Sequence, residues 1–397
     1  MRWTRRRVVA AIGAATTAAV AGCSDTDEDA ENGTPAGQEH EQTPTPEQTP
    51  EPASAVPMVG YDATRTAAPP GVAGPAGAVE ADWTFELDDR TTAAPVIADG
   101  TVYIGGDDLT VYAIDADDGT ERWQYSTNGD VTAAAATDGD RVYVGSSDGN
   151  LYALADGDDE WVFETGDGID SAPAVVDGTV YVGSGDRTVY AVDADSGQEQ
   201  WHFDADDSVT GAPAVVGDTV YVGSRDSNVY AIAADDGTER WTFRTEGAGS
   251  VSPAVADGTV YVGCWDGRLY AIDAAEGEER WQLSLDGRVQ ASPAVADGTV
   301  YAASTGGDVV AATTDGEALW RTNTNSRIES APTVAGGVVY LGSGDRNVYA
   351  FDAANDGEAL WRVDVEGAVH AAPAVLDGTV YAGTYGGDVV ALRNESA

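Results

Sequence analysis

Lysine is absent from this 397-residue chain: all 20 basic residues are arginine, against 46 aspartates and 22 glutamates, for a net charge of −48. A chain without a basic footprint cannot neutralise a phosphate backbone, which excludes a nucleic-acid-binding protein. Cysteine occurs only as Cys23 and Cys264, too few for a disulfide framework. Histidine occurs three times, at His40, His202 and His370, and no two share metal-ligand spacing, so no metal site is expected. Asp115-Ala116-Asp117-Asp118-Gly119 opens like a calcium loop, but its fifth position is glycine and no glutamate closes it. No serine stands in a nucleophile elbow, and no run of 18 apolar residues is present to span a bilayer in the mature protein.

What is present is glycine, 48 residues of it, with short Val/Tyr/Ala runs set off by Asp-Gly pairs. That pattern suits many short strands joined by tight turns. The acidity runs along the whole chain: residues 81–393 hold 56 acids against 15 arginines, a net of −41. Such a fold repels itself in ordinary buffer, whereas in molar salt the screening length falls to about 3 Å. The lysine-free, aspartate-rich composition resembles that of proteins from extreme halophiles.

Residues 1–22 carry Arg5-Arg6-Arg7 and an Ala-rich apolar stretch from Val8 to Gly22. Fifteen apolar residues suit a signal-peptide core better than a span. The arginine pair resembles a twin-arginine export signal. Val20-Ala21-Gly22-Cys23 resembles a lipobox, which makes Cys23 the expected lipidation site. Residues 23–56 are acidic and then Thr/Pro-rich, and bury too little apolar surface to offset their ordering entropy, so a disordered tether is expected. Residues 57–80 form a lead-in and residues 81–397 the folded unit.

That unit is one motif repeated. Tryptophan recurs at Trp83, Trp123, Trp161, Trp201, Trp241, Trp281, Trp320 and Trp361, with spacings of 38 to 41 residues, and the last seven each follow a glycine four residues earlier. Each unit divides into four expected strands, in the first case Thr92–Ala98, Thr101–Gly105, Thr110–Asp115 and Glu121–Ser126. Four strands in about 40 residues match a propeller blade. A lone fourth strand around Trp83 precedes the first full unit, and the last unit stops after its third strand. The first strand should therefore complete the last blade, which removes an exposed edge. The expected fold is all-β: an eight-bladed β-propeller of four-stranded antiparallel blades.

Ala113-Ile114-Asp115-Ala116-Asp117-Asp118-Gly119-Thr120-Glu121-Arg122-Trp123 resembles the tryptophan-docking motif of pyrroloquinoline-quinone-type (PQQ-like) propellers, and recurs at residues 191–201 and 271–281. Pro57-Met58-Val59-Gly60-Tyr61-Asp62 through Arg65-Thr66 is similar to the lead-in of such propellers. The resemblance implies that the eight tryptophans pack between blades. It leaves two branches open. Quinoprotein dehydrogenases bind the quinone with calcium and have adjacent cysteines over it; BamB-like scaffolds bind proteins and catalyse nothing. This chain has no Cys-Cys pair, and Cys264 occupies a slot that holds Ser146, Ser184 and Ser224 in sister units.

Three residues before Pro95 and its equivalents stand Thr92, Thr132, Asp170, Thr210, Ser250, Gln290, Glu329 and His370. All are polar, yet they differ while the surrounding repeat is monotonous, and they should ring one mouth of the central channel. Arg225, Trp265 and Tyr385 stand in second-to-third-strand turns expected on the same face, where exposed aromatics and arginine would suit a protein interface. The expectation is a non-catalytic, monomeric scaffold without cofactor or nucleic acid, lipid-anchored outside the cell membrane and binding a protein partner there. The alternative is an extracytoplasmic PQQ-dependent dehydrogenase, carrying PQQ with calcium, or a sugar-binding propeller.

Overall fold

The computed structural model describes residues 62, 65, 67, 68, 71–249 and 252–395. The expected export signal around Arg5 and Arg6, Cys23, the tether and Ser250 lie outside the described residues. Eight four-stranded antiparallel sheets follow one another around a ring, at residues 96–126, 136–164, 174–204, 214–244, 254–284, 294–323, 333–364 and 374–394. The eighth blade takes its outer strand from Val79–Glu86, which pairs antiparallel with Asp388–Asn394. The expected fold and clasp are therefore both present.

Local chemistry accounts for the blade. Asp99 and Gly100 both have positive φ, 48° and 68°, the geometry of a two-residue hairpin turn whose twist matches its strands. Third and fourth strands shift register just before each tryptophan: Ala113 faces Trp123 but Ile114 faces Glu121. Such a bulge bends the strand and re-aims the next side chain. The composite eighth blade repeats it between Ala81 and Trp83. The innermost strand is shorter than expected, Val96–Ala98 rather than Thr92–Ala98. Pro95 has no N–H for a ladder, and the residues before it leave the sheet as loop.

Six of the eight tryptophans, all but Trp123 and Trp361, stitch their blade to the next through the indole N–H. The indole N–H of Trp83 donates to the Ala116 carbonyl at 3.0 Å, that of Trp201 to Ala234 at 2.8 Å and that of Trp320 to Ala353 at 3.0 Å. The glycine four residues before a tryptophan serves the preceding blade's ring: a Cβ on Gly357, at φ +65°, would stand 2.5 Å from Trp320. Trp361 has no third-to-fourth turn ahead of it, and the lead-in replaces one, with the Pro75 carbonyl accepting from Trp361 at 2.8 Å and from Tyr340 at 3.2 Å. The largest apolar cluster spans this closure, from Trp361 through Val389 and Trp83 to Ile114.

Candidate functional site at the channel mouth

The loop entering each innermost strand is tied to the turn between the second and third strands of the same blade. The N–H of Asp107 donates to the Arg90 carbonyl at 3.0 Å, that of Arg225 to Ser208 at 3.0 Å and that of Tyr385 to Ala368 at 2.7 Å. Ring positions and turn slots therefore share one end of the channel. Thr92, Thr132, Asp170, Thr210, Glu329 and His370 line a cup there of about 200 Å³, above a tier of small residues that includes Ala94, Ala172 and Ser292. Gln290 does not join that lining, and its amide oxygen is buried without a hydrogen-bond partner among the described residues.

On one arc, three blades are linked side chain to side chain. Arg327 pairs with Glu329, whose other oxygen meets His370 Nδ1 at 2.6 Å. The His370 ring stands edge-on to Tyr385 at 5.2 Å between centroids. Arg90 bonds the Tyr385 hydroxyl, lies 4.6 Å above its ring and pairs with Asp107 at 2.5 Å. The His370 hydrogen bond, helped by the Arg327 charge, holds the Glu329 carboxyl below its usual range. Tyr385 remains 43 % exposed within this network, which leaves its ring available as a contact surface.

Elsewhere on the mouth the links join only neighbouring pairs of blades. Asp170 accepts from Thr132 at 3.2 Å and is exposed, as is Arg225. Trp265 was expected to be exposed; it is half-buried, with the Arg288 guanidinium 5.1 Å from its ring centroid. Arg90, Arg288 and Arg327 escaped the sequence reading, although all stand two residues before a ring position, a slot that is Asp, Gly, Ser or Ala in the other blades. The same alignment that located the ring would have found them.

In the second to fifth blades a structural aspartate sits beside the slot. Asp148, Asp186, Asp226 and Asp266 each accept from the tyrosine four residues on at 2.6–2.7 Å. Burial and these carboxylates push Tyr152, Tyr190, Tyr230 and Tyr270 up to about 12. Cys264 is buried with its thiol on the Gly247 carbonyl at 3.2 Å, as Ser224 bonds Asp207, and burial raises its pKa. It packs in the place of a serine.

The cup presents two carboxylates, Asp170 and Glu329. Among the described residues no three His, Cys, Asp or Glu side chains are grouped to hold a metal ion, whereas calcium takes six to eight oxygens. Glu329 is already shared between His370 and Arg327.

One curated relative, the quinohemoprotein alcohol dehydrogenase ADH-IIG of Pseudomonas putida, is 36 % identical over 85 residues, 18 % of this chain; the match spans only 12 % of that protein. Among solved structures, BamB from Moraxella catarrhalis superposes with a TM-score of 0.70 at 22 % identity, over 80 % of this chain and 100 % of its own. The P. putida HK5 dehydrogenase superposes at 0.73 and 19 % identity, over 87 % of this chain and 81 % of its own. At those identities the superpositions show a shared fold. The family described as outer membrane protein assembly factor BamB matches residues 80–169, 153–291 and 266–396, nearly the whole propeller, and the chain belongs to that family.

Proposed function

We propose that this protein is a non-catalytic scaffold, exported and held by a lipid on Cys23 at the outer face of the cell membrane, whose channel mouth binds a partner protein. The observation that carries this reading is the linked arc Arg327–Glu329–His370–Tyr385–Arg90–Asp107 beside a shallow cup. Side chains held by their neighbours lose little freedom on binding, and tyrosine and arginine are enriched among interface hot spots. Family membership supports a binding role. The absence of paired cysteines and the donor set at the cup weigh against a quinoprotein.

The acidic surface fits a protein that works in concentrated salt. There steering by charge is screened, so contact chemistry dominates partner choice. Residues 1–22 act as a twin-arginine lipoprotein signal, residues 23–56 as tether and 57–80 as lead-in to a monomeric propeller.

Affinity capture from native membranes in molar salt should return one stoichiometric partner with the wild type and none with a Tyr385→Ser, Arg90→Gln protein. Purified protein should show no quinone absorbance and no calcium-dependent dye reduction with alcohols or sugars. A positive result in either enzyme assay refutes the scaffold reading. Membrane association of a Cys23→Ser protein equal to wild type would remove the anchor.

A further inference from the structure

An arginine lies directly beneath the cup. Arg65 is 1 % exposed. Its Nε donates to the Pro213 carbonyl at 2.5 Å, and Nη2 donates to the carbonyls of Ala172 at 3.1 Å and Pro173 at 2.9 Å. Pro173 and Pro213 head the innermost strands of the third and fourth blades, and Ala172 also lines the cup. Two residues further on, the Ala67 carbonyl accepts from Val334 in the seventh blade at 2.8 Å. The seventh blade stands opposite the third in a ring of eight, so the Arg65 side chain and the Ala67 carbonyl reach opposite walls of the channel. The chain then passes Gly336, whose absent Cβ would lie 2.9 Å from Ala73, and the Ala73 carbonyl accepts from Gly378 of the eighth blade at 3.2 Å. Gly336 and Gly378 belong to first-to-second-strand turns, at the end of the channel away from the mouth.

We propose that the carbonyl oxygens of Ala172, Pro173 and Pro213 form a guanidinium site in the channel wall, that Arg65 fills it in cis, and that this contact makes the lead-in a plug between the cup and the far end of the channel. The chemistry favours guanidinium over ammonium. The three acceptors are fixed carbonyl oxygens of the channel wall. Two nitrogens must also reach three oxygens on two different blades, which a planar fork does and a point charge on a flexible stem does not. Burial disfavours the Arg65 charge and the Asp62 charge offsets part of that cost; the Asp62 side chain also accepts from the Arg65 backbone N–H at 3.0 Å. Arg65 and Ala67 both have positive φ, 57° and 53°, so the segment is held by its contacts rather than by local preference. The plug is independent of what binds at the mouth.

The test uses full-length protein in molar potassium chloride. Arg65→Ala should expose the lead-in, raising the rate of proteolysis within residues 62–76 about tenfold or more. Its Tm should fall by about 3 °C or more. Millimolar guanidinium chloride should restore both properties to the variant and neither stabilise nor protect the wild type; ammonium chloride should not substitute. Arg65→Lys should retain only part of the protection. Wild-type protection in Arg65→Ala overturns the plug. Rescue by ammonium equal to that by guanidinium, or wild-type protection in Arg65→Lys, overturns the guanidinium site. If the alanine variant does not fold, the lysine variant decides: partial protection supports the proposal and wild-type protection contradicts it.

Discussion

The two ends of the channel are built from the same repeat and have diverged in opposite ways. At the far end, Asp-Gly turns recur in most blades, and the tryptophan–carbonyl stitches repeat at every tryptophan but Trp123, including the closure, where Pro75 substitutes for a missing turn. At the mouth, the ring changes residue in most blades, and side chains from three blades interlock. A position that must close a ring tolerates one solution, because every blade meets the same neighbour. A position that faces solvent from a rigid support is released from that constraint, and variation there is available for recognition. The far end should therefore be sensitive in stability and the mouth sensitive in binding.

The largest effect should come from the closure. Deleting residues 79–86 removes the outer strand of the eighth blade, its tryptophan and part of the largest apolar cluster, and leaves an unpaired edge. Loss of the cooperative fold or aggregation is expected by circular dichroism and size-exclusion chromatography, whereas deleting residues 24–50 should leave melting unchanged. Equal melting of the two truncations would show that the clasp is dispensable.

Gly357→Ala is the corresponding point change. A left-handed backbone and a Cβ 2.5 Å from Trp320 together should destabilise by about 2–4 kcal/mol, read as a lower midpoint in denaturant melts. A melt within error of wild type would mean that the blade seam yields to the added methyl.

Much of this was legible because it repeats. Eight tryptophans and Asp-Gly pairs located the blades, and the unpaired first strand located the clasp. The expected third and fourth strands of the first blade, Thr110–Asp115 and Glu121–Ser126, coincide with those observed. The innermost strand was overextended because a period-two pattern does not register that a proline interrupts the ladder. Trp265 was expected to be exposed because its cover, Arg288, lies 23 residues away in another blade. Arg65 stands in the lead-in motif, but its partners had no signal: its acceptors are 107 to 148 residues distant and are backbone carbonyls, which any sequence supplies.

Salt and acid probe both ends together. With −41 on residues 81–393, stability should rise from millimolar to molar chloride as repulsion is screened. At low salt, lowering the pH from 7 towards 5 should stabilise modestly. Asp388 contributes to this, since burial beside Glu86 and Glu366 raises its pKa and favours its neutral form in the fold. Below about pH 4 the sign reverses. Glu329 is depressed in the fold by His370 and Arg327, and Asp148 and Asp345 are depressed despite burial by hydrogen bonds from Tyr152 and Tyr349. Their stabilisation is present above the unfolded pKa and lost as pH falls through the folded value. Melting midpoints across pH 3–7 should show a maximum; a monotonic rise on acidification would mean that these bonds contribute nothing.

The smallest stability effects should be at the mouth. Tyr385→Ser should shift the melt little, because a 43 % exposed ring buries modest area. Trp265→Ser should cost more than a fully exposed residue would, through its lost packing on Arg288. In binding the order inverts: truncating an interface anchor should weaken partner affinity by about 2 kcal/mol or more.

Site-specific photocrosslinking compares the ends most directly. A benzophenone side chain placed at Tyr385, on the mouth, or at Asp235, in an exposed turn of the far end, samples each surface in the same folded protein. In native membranes at molar salt, the probe at 385 should give one discrete protein adduct and the probe at 235 none. An adduct from 235 with none from 385 would contradict the account and move the binding face to the opposite end of the ring.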